Sequence, residues 1–288
     1  MLQSNSIRDS FDVSHLVSEV VSLAEKAGQE VLDVYGEDDV GQTRKADDTP
    51  LTRADTKANE VICQGLRTLH DAHEEEILPI LSEENKEIAF ETRRQWNFFW
   101  LVDPLDGTKE FINKNGEFTI NIALVAENRP LLGVVHAPAV ELTYAGILGE
   151  GAYRRKENGG WIKLNEDSKN TDSDTVRIVA SRSHLDDETQ RFIDTVKQKS
   201  TDVELTSAGS SLKFCLLADG EADIYPRLAP TMEWDTGAAQ AIVEASGGYV
   251  LTYDHREPLV YNKEDVTNPT FIAVNAHGAE LLEQIHNA

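Results

Sequence analysis

The stretch that decides the fold reads Phe98-Phe99-Trp100-Leu101-Val102-Asp103-Pro104-Leu105-Asp106-Gly107-Thr108. Its first five residues are an apolar run typical of a buried strand, and the residues that follow are a turn signal. Two carboxylates three residues apart, bent around a proline and a glycine, can point at one spot. Hard divalent cations such as Mg²⁺ prefer clustered oxygen ligands of this kind. An ordinary turn, in which Asp, Pro and Gly occur for backbone reasons alone, explains the same residues equally well.

Three further carboxylate-bearing elements each stand at the terminus of an apolar segment. Ser82-Glu83-Glu84 follows a short apolar run upstream of the first stretch. Thr52-Arg53-Ala54-Asp55 precedes a helical pattern and is equally consistent with a capping box. Trp234-Asp235-Thr236-Gly237 opens a helix of small residues, where the aspartate can serve as a cap. Each element has a structural explanation, yet active sites tend to form where such elements end.

Taken together and in this order, the four elements resemble the signatures of the inositol monophosphatase superfamily, which are lithium-sensitive, Mg²⁺-dependent phosphomonoesterases. The resemblance runs from about residue 12 to the end of the chain. Within the superfamily the chain is most similar to the bacterial 3′(2′),5′-bisphosphate nucleotidases. The stretches that carry this likeness are Lys109-Glu110-Phe111, Asn115 to Ala123, Gly209 to Cys215 and Tyr225-Pro226-Arg227.

The likeness implies hydrolysis of adenosine 3′,5′-bisphosphate to AMP and phosphate, in support of sulfate assimilation. Two alternatives stay open on the sequence alone. One is an inositol or sugar monophosphatase that uses the same metals. The other, from a different class, is a non-catalytic protein that binds a metal or a phosphate ligand. That reading requires a missing ligand residue, and none is missing.

The resemblance also implies which residues hold the metal. Glu83, Asp103 and the backbone carbonyl of Leu105 would bind a first Mg²⁺. Asp103, Asp106 and Asp235 would bind a second, and a third, weaker ion would lie near Glu83. The expected cofactor is therefore two or three Mg²⁺ ions.

The residues expected to serve catalysis and substrate binding partly overlap with the expected metal ligands. Asp55 and Thr108 would orient and help to deprotonate the attacking water, which makes Asp55, Glu83 and Thr108 the catalytic set. The hydrolysis would be direct, because no Cys, His or Ser stands in a nucleophile arrangement. Gly107 and Thr108 offer backbone donors to the reacting phosphate. The remaining substrate-binding candidates are Lys213 and Arg227, then Arg182 and His184 as weaker ones, and Asp235.

The composition and net charge of the chain limit the classes of molecule that it can bind. The chain has 288 residues and a formal net charge of −24. Nucleic-acid polymers are excluded, because their phosphates are held by clustered Lys and Arg, whereas a small phosphate ester is not. No apolar stretch approaches the roughly 18 residues of a membrane span. The N-terminus lacks the pattern of a signal peptide, so we expect a cytoplasmic protein. Cys63 and Cys215 are expected to be reduced core residues.

Periodicity predicts a mixed α/β protein of two subdomains. Residues 1–174 would form an N-terminal α+β part with an antiparallel meander, and residues 175–288 a C-terminal α/β part, with the active site between them. The family resemblance implies a layered α-β-α-β-α sandwich. The polar stretch Glu37 to Thr49 is expected to be a loop or weak hairpin. A homodimer is compatible with the sequence, since the apolar meander can form either a dimer face or a core.

Overall fold

The computed structural model describes residues 13–45, 49–72, 77–157, 159–164, 175–181, 187–200 and 202–287. The chain contains both helices and strands, and a long run of consecutive strands lies in its middle. It is therefore a mixed α/β protein, as predicted. The helices are α1 (Val13–Tyr35), α2 (Arg53–Ala72), α3 (Phe90–Arg93), α4 (Thr108–Ile112), α5 (Asp187–Lys199), α6 (Leu212–Ala218), α7 (Glu233–Ala245) and α8 (Ala276–Asn287). Short 3₁₀ turns cover Glu83–Asn85 and Pro138–Val140.

The strands build three sheets. They are β1 (Thr43–Arg44), β2 (Pro50–Leu51), β3 (Ile80–Ser82), β4 (Phe98–Asp106), β5 (Thr119–Ala126), β6 (Arg129–Ala137), β7 (Leu142–Ile147), β8 (Gly151–Lys156), β9 (Ile162–Leu164), β10 (Thr175–Ser181), β11 (Asp202–Ala208), β12 (Ile224–Arg227), β13 (Tyr249–Thr252) and β14 (Phe271–Val274). Strands β3 to β9 form a seven-stranded sheet in chain order, in which only the β3–β4 pair is parallel. The second sheet has the order β11-β10-β12-β14-β13, and β1 and β2 form a hairpin.

One face of the seven-stranded sheet is covered by α1 and α2. On α1 the fully buried Val20, Ala24, Ala27 and Val31 recur at helical spacing, which gives the helix one apolar stripe. This stripe packs with α2 residues and with the inner side chains of the sheet in one hydrophobic cluster. Every residue of β5 is buried, so the meander forms core rather than an exposed face at this strand. The oligomeric state stays a prediction.

Helices α6 and α7 lie between the two sheets. Their apolar residues form one cluster with the second face of the large sheet and the near face of the five-stranded sheet. The approach of α7 is close, since a Cβ placed on Gly133 of β6 would lie 2.0 Å from the carbonyl oxygen of Ala238. On the far side of the smaller sheet, α5 and α8 pack over a third cluster. The layers therefore run α-β-α-β-α, as the family resemblance implied.

Two strands were not predicted. Strand β11 is polar and mostly exposed at the edge of its sheet, so it lacks the apolar alternation that marks a strand. Strand β9 is only three residues long. The stretch between α1 and α2 does contain a hairpin, with Thr43 paired to Leu51 and Arg44 to Pro50. The proposed boundary at residue 174 falls outside the described residues and stays a prediction.

Two other expectations can be compared with the fold. Cys63 and Cys215 are both buried and free of a disulfide, in agreement with their predicted role as core residues. Among the residues that the structure describes, no helix has both the length and the apolar character needed to cross a membrane.

Candidate active site

The end of β4 brings the first two carboxylates to one place. Asp103 pairs with Asn121 of β5 and Asp106 pairs with Thr119, and the register shifts between them. Such a bulge bends a strand and re-aims its side chains. Gly107 then takes a φ of 90°, a left-handed conformation that favours glycine, and lets the chain turn directly into α4. The turn residues and the ligand candidates are thus parts of one local structure.

Three aspartates are candidate metal ligands: Asp103, Asp106 and Asp235. Each of them uses one carboxylate oxygen in a hydrogen bond within the protein. Asp103 Oδ1 accepts from the backbone amide of Leu105 at 3.0 Å. Asp106 Oδ2 accepts from Ser211 Oγ at 2.8 Å. Asp235 Oδ2 accepts from the backbone amide of Met232 at 2.8 Å, which caps α7. The capping role that the sequence suggested for Asp235 is therefore present, and its second oxygen remains for another partner.

Asp55 combines a capping role with a contact to the turn. Its Oδ2 accepts from the backbone amide of Thr52 at 2.7 Å and from Thr52 Oγ1 at 2.6 Å. Its Oδ1 accepts from Thr108 Oγ1 at 3.3 Å, across 53 residues of chain. Thr108 Oγ1 also lies 3.4 Å from the carbonyl oxygen of Leu105. The structure therefore joins the start of α2 to the turn after β4.

These elements surround a cavity of about 230 Å³. It is bounded by the β4 turn, the hairpin end, the start of α6, strand β12 and the start of α7. Most of the predicted site residues line it. Those lining residues are Glu83, Asp103, Leu105, Asp106, Gly107, Thr108, Lys213, Arg227 and Asp235. Arg182 and His184 lie outside the described residues.

Burial and mutual repulsion raise the pKa values of the carboxyl groups. The pKa of Asp103 is held well above its usual range by burial and then by the negative charges of Glu83, Asp106 and Asp235. Burial also raises the pKa of Asp106 and, strongly, that of Asp235. The pKa of Asp55 rises to about 6, because burial outweighs the hydrogen bonds from Thr52. Like charges held this close favour either a proton or a cation among them.

A lysine of the hairpin already pairs with part of this charge. Lys45 Nζ lies 2.7 Å from Glu83 Oε1 and 2.7 Å from Glu84 Oε1. Its side chain is only 11% exposed, and the backbone amide of Lys45 donates to the carbonyl oxygen of Thr49, which holds the hairpin end in place. Sequence analysis assigned no role to Lys45, because the residues that it contacts lie 38 and 39 positions away.

Two cationic side chains, Lys213 and Arg227, line the same cavity as the carboxylates. Lys213 is buried, and its Nζ donates to the carbonyl oxygen of Ser210 at 2.6 Å. Burial lowers the pKa of Lys213 to about 8, with nearby Arg227 lowering it further and Asp106 opposing the shift. Arg227 donates through one terminal nitrogen to the carbonyl oxygen of Pro230 at 3.1 Å, and its buried Nε has no hydrogen-bond partner in the described part of the chain. Both residues line the cavity, and their role in binding an anionic ligand stays a prediction.

The donor set fits a hard divalent cation by its chemistry. All the candidate ligands are carboxylate or carbonyl oxygens, and their buried charges repel one another. Within the described part of the chain, no group of three or more His, Cys, Asp and Glu side chains is arranged so that it could already hold a metal ion. The individual ligand assignments therefore stay predictions.

Two residues behind the ligands were quoted in the sequence motifs without a role. Ser211 donates to Asp106, and Asn121 Nδ2 donates to Ser211 Oγ at 2.9 Å. They come from stretches 90 residues apart that only the fold brings together. The signal that was available is the pair of small residues Gly209-Ser210 before Ser211. A positive φ of 43° at Ser210 turns the chain there.

Known proteins are similar to this chain over almost its whole length. A family model described as the inositol monophosphatase family matches residues 12–288. The 3′(2′),5′-bisphosphate nucleotidase CysQ of Salmonella typhimurium is 42% identical over 257 residues, which cover 89% of this chain and 98% of that protein. The CysQ of Escherichia coli K12 is 42% identical over 258 residues, with the same coverage.

Solved structures of this family have a similar fold. The crystal structure of CysQ from Bacteroides thetaiotaomicron, a bacterial member of the inositol monophosphatase family, matches with a TM-score of 0.77 and 43% identity. The match covers 91% of this chain and 97% of that one. The inositol monophosphatase of Thermotoga maritima matches with a TM-score of 0.70 at 22% identity, covering 93% and 95% of the two chains, which supports the shared fold alone.

Proposed function

Because the chain belongs to the inositol monophosphatase family, whose members depend on metal ions, we propose that it is a Mg²⁺-dependent 3′(2′),5′-bisphosphate nucleotidase. Its substrate would be adenosine 3′,5′-bisphosphate, converted to AMP and phosphate, in support of sulfate assimilation. Identities of 42% and 43% to proteins named as CysQ support this choice over an inositol phosphatase, since the inositol monophosphatase of Thermotoga maritima is 22% identical.

One observation carries the proposal. A single cavity is lined both by a group of repelling carboxylates and by two cations, Lys213 and Arg227. The carboxylates suit Mg²⁺ ions, for which we name Glu83, Asp103, Asp106 and Asp235 with the carbonyl of Leu105. The chemistry that such ions supply when bound is neutralisation of phosphoryl charge and activation of water.

The residues beside the ligands would handle the proton of the attacking water. Thr108 Oγ1 donates to Asp55 Oδ1, so its lone pairs can accept a hydrogen bond from water. A pKa of about 6 makes Asp55 a suitable acceptor of a proton near neutral pH. We assign Asp55 and Thr108 to holding and deprotonating the water, with Gly107 and Thr108 amides facing the reacting phosphate.

The two cations account for the choice of a bisphosphate. A metal site and one turn are enough to recognise a single phosphate, whereas a second phosphate needs fixed positive charge of its own. Arg227 can make bidentate contacts with phosphate, and Lys213 supplies a point charge. Both face the same cavity as the carboxylates.

Phosphate release from a small panel of substrates tests the proposal. The panel contains adenosine 3′,5′-bisphosphate, inositol 1-phosphate and fructose 1,6-bisphosphate, each with Mg²⁺, with Mg²⁺ and Li⁺, and with EDTA. We expect fastest turnover of the adenosine bisphosphate, inhibition by Li⁺ and no turnover in EDTA. Full activity in excess EDTA would refute the metal mechanism, and a preference for inositol 1-phosphate would refute the substrate assignment.

A further inference from the structure

The hydroxyl of Ser211 occupies an unusual position. Ser211 stands at the N-cap of α6, yet its side chain makes no capping hydrogen bond to that helix. Serine is favoured at an N-cap because its oxygen accepts from the first helical amides, so this hydroxyl is employed elsewhere. It is only 1% exposed and points to Asp106 Oδ2 at 2.8 Å and to the backbone carbonyl oxygen of Asp235 at 2.9 Å.

Asn121 determines which way this hydroxyl points. Its Nδ2 donates to Ser211 Oγ at 2.9 Å and lies 3.4 Å from Asp106 Oδ2. A hydroxyl has one proton and two lone pairs. With one lone pair taken by the Asn121 amide, the Ser211 proton is directed toward the two oxygens of Asp106 and Asp235. Asn121 is itself 1% exposed on β5, so it cannot turn toward solvent.

We propose that Ser211, oriented by Asn121, is a positioning residue that holds Asp106 and the start of α7 at the separation a divalent cation requires. One hydroxyl contacts the side chain of one expected ligand and the backbone of another. It thereby joins the end of β4 to the start of α7, where Asp106 and Asp235 are 129 positions apart in the chain. This inference rests on the proposed function, because it assigns Asp106 and Asp235 to the metal.

The hydroxyl acts on the metal site before any substrate arrives. Outer-shell partners that orient ligands typically change metal affinity by roughly 10- to 100-fold when they are lost. Ser211→Ala removes one oxygen and nearly preserves the side-chain volume. We therefore expect the Kd of the protein for Mg²⁺, measured by calorimetric titration without substrate, to rise by roughly 10-fold or more.

Three other variants separate positioning from folding. Ser246→Ala is a matched control, because Ser246 is also buried and donates to the carbonyl oxygen of Val243 at 2.9 Å at the far end of α7. Its Kd for Mg²⁺ should equal that of the wild type. Ser211→Thr keeps the hydroxyl and should restore binding. Asn121→Leu removes the orienting donor and should weaken binding in the same direction as Ser211→Ala.

A second readout distinguishes affinity from catalysis. If Ser211 only positions the ligands, kcat of Ser211→Ala should recover toward the wild-type value at saturating Mg²⁺. A Kd for Mg²⁺ within twofold of the wild type in Ser211→Ala would overturn the inference. So would an equal loss of affinity in Ser246→Ala, which would indicate general loosening. If the wild-type protein bound no Mg²⁺, the proposed function itself would fail, and the inference with it.

Discussion

Asp106 ends strand β4 in a turn and is also a residue that we propose as a metal ligand. Asparagine favours the same turn positions as aspartate, so a purely conformational role would survive a change to the amide. A ligand role would not, because the amide lacks the negative charge. Around Asp106 the buried carboxyl groups repel one another, so removing one charge relieves strain in the folded protein.

We therefore expect Asp106→Asn to lose more activity than the roughly 10- to 100-fold that outer-shell changes cause. Its free energy of unfolding without metal should equal or exceed that of the wild type. Initial rates on adenosine 3′,5′-bisphosphate and a denaturant titration measure the two quantities. Turnover close to the wild-type rate would mean that Asp106 is only a turn residue.

We propose that Arg227 determines the choice of substrate and takes no part in the chemical step. The residue lines the cavity, and its buried Nε has no hydrogen-bond partner among the described residues. A hydrogen bond to a charged group is worth about 1.5–3 kcal/mol. Arg227→Ala should therefore raise KM for adenosine 3′,5′-bisphosphate roughly 10- to 100-fold, and change KM for inositol 1-phosphate much less.

The control for this prediction is Arg94→Ala, which removes an exposed arginine paired with Glu91 on the surface. Its KM values should match those of the wild type for both substrates. An equal rise for both substrates in Arg227→Ala would show that Arg227 does not bind the second phosphate.

At the scale of elements, the sequence predicted what is apolar and local. The buried strands β4 to β7 are near-continuous apolar runs. The turn after β4 is indicated by its proline, aspartate and glycine residues. Strand β11 was not predicted, because most of its side chains are exposed. Two contacts were also not predicted, because each joins elements far apart in the chain. They are the pairing of Lys45 with Glu83 and the contact of Ser211 with Asp106.

The contact between α7 and β6 offers a prediction at this scale. A Cβ on Gly133 would lie 2.0 Å from the carbonyl oxygen of Ala238, and backbone cannot move aside as a flexible side chain can. Gly133→Ala should therefore destabilise the protein by about 1–3 kcal/mol, the range for overpacked cores. Thermal unfolding measures this as a decrease in Tm.

Gly160→Ala is the matched control, because, apart from its chain neighbours, no atom of the described residues lies within 4 Å of a Cβ at Gly160. Its Tm should stay at the wild-type value. Equal Tm values for the two variants would mean that α7 can shift away from the sheet at little cost.

The stability of the whole molecule should depend on the protonation of one buried imidazole. Burial lowers the pKa of His136 to about 4, although Glu25 opposes the shift, and Nδ1 lies 2.9 Å from Thr143 Oγ1. In the unfolded chain the pKa is about 6.5. Between these values the unfolded state binds more protons than the folded state, so this group's contribution is lost as pH falls from about 6.5 to about 4.

We expect the wild type to lose up to about 3 kcal/mol relative to His136→Gln across this window. The comparison between the two proteins matters, because the raised pKa values of Asp103, Asp106 and Asp235 act in the opposite direction in both and cancel. Urea titrations at several pH values give the difference. A difference between the two proteins that stays constant with pH would contradict this prediction.

The exposed strand β11 bears on how copies of the protein behave in concentrated solution. It forms one edge of the five-stranded sheet, and a sheet edge is a template on which another chain can add a strand. Leu205, half exposed at 51%, is the apolar residue most available for such growth. Asp202 and Glu204 lie beside it, and the net charge of −24 makes any two copies repel each other. Near the isoelectric point of about 4.6 this repulsion vanishes. In acid solution the protein should therefore aggregate, and the aggregation should begin with strand addition at β11.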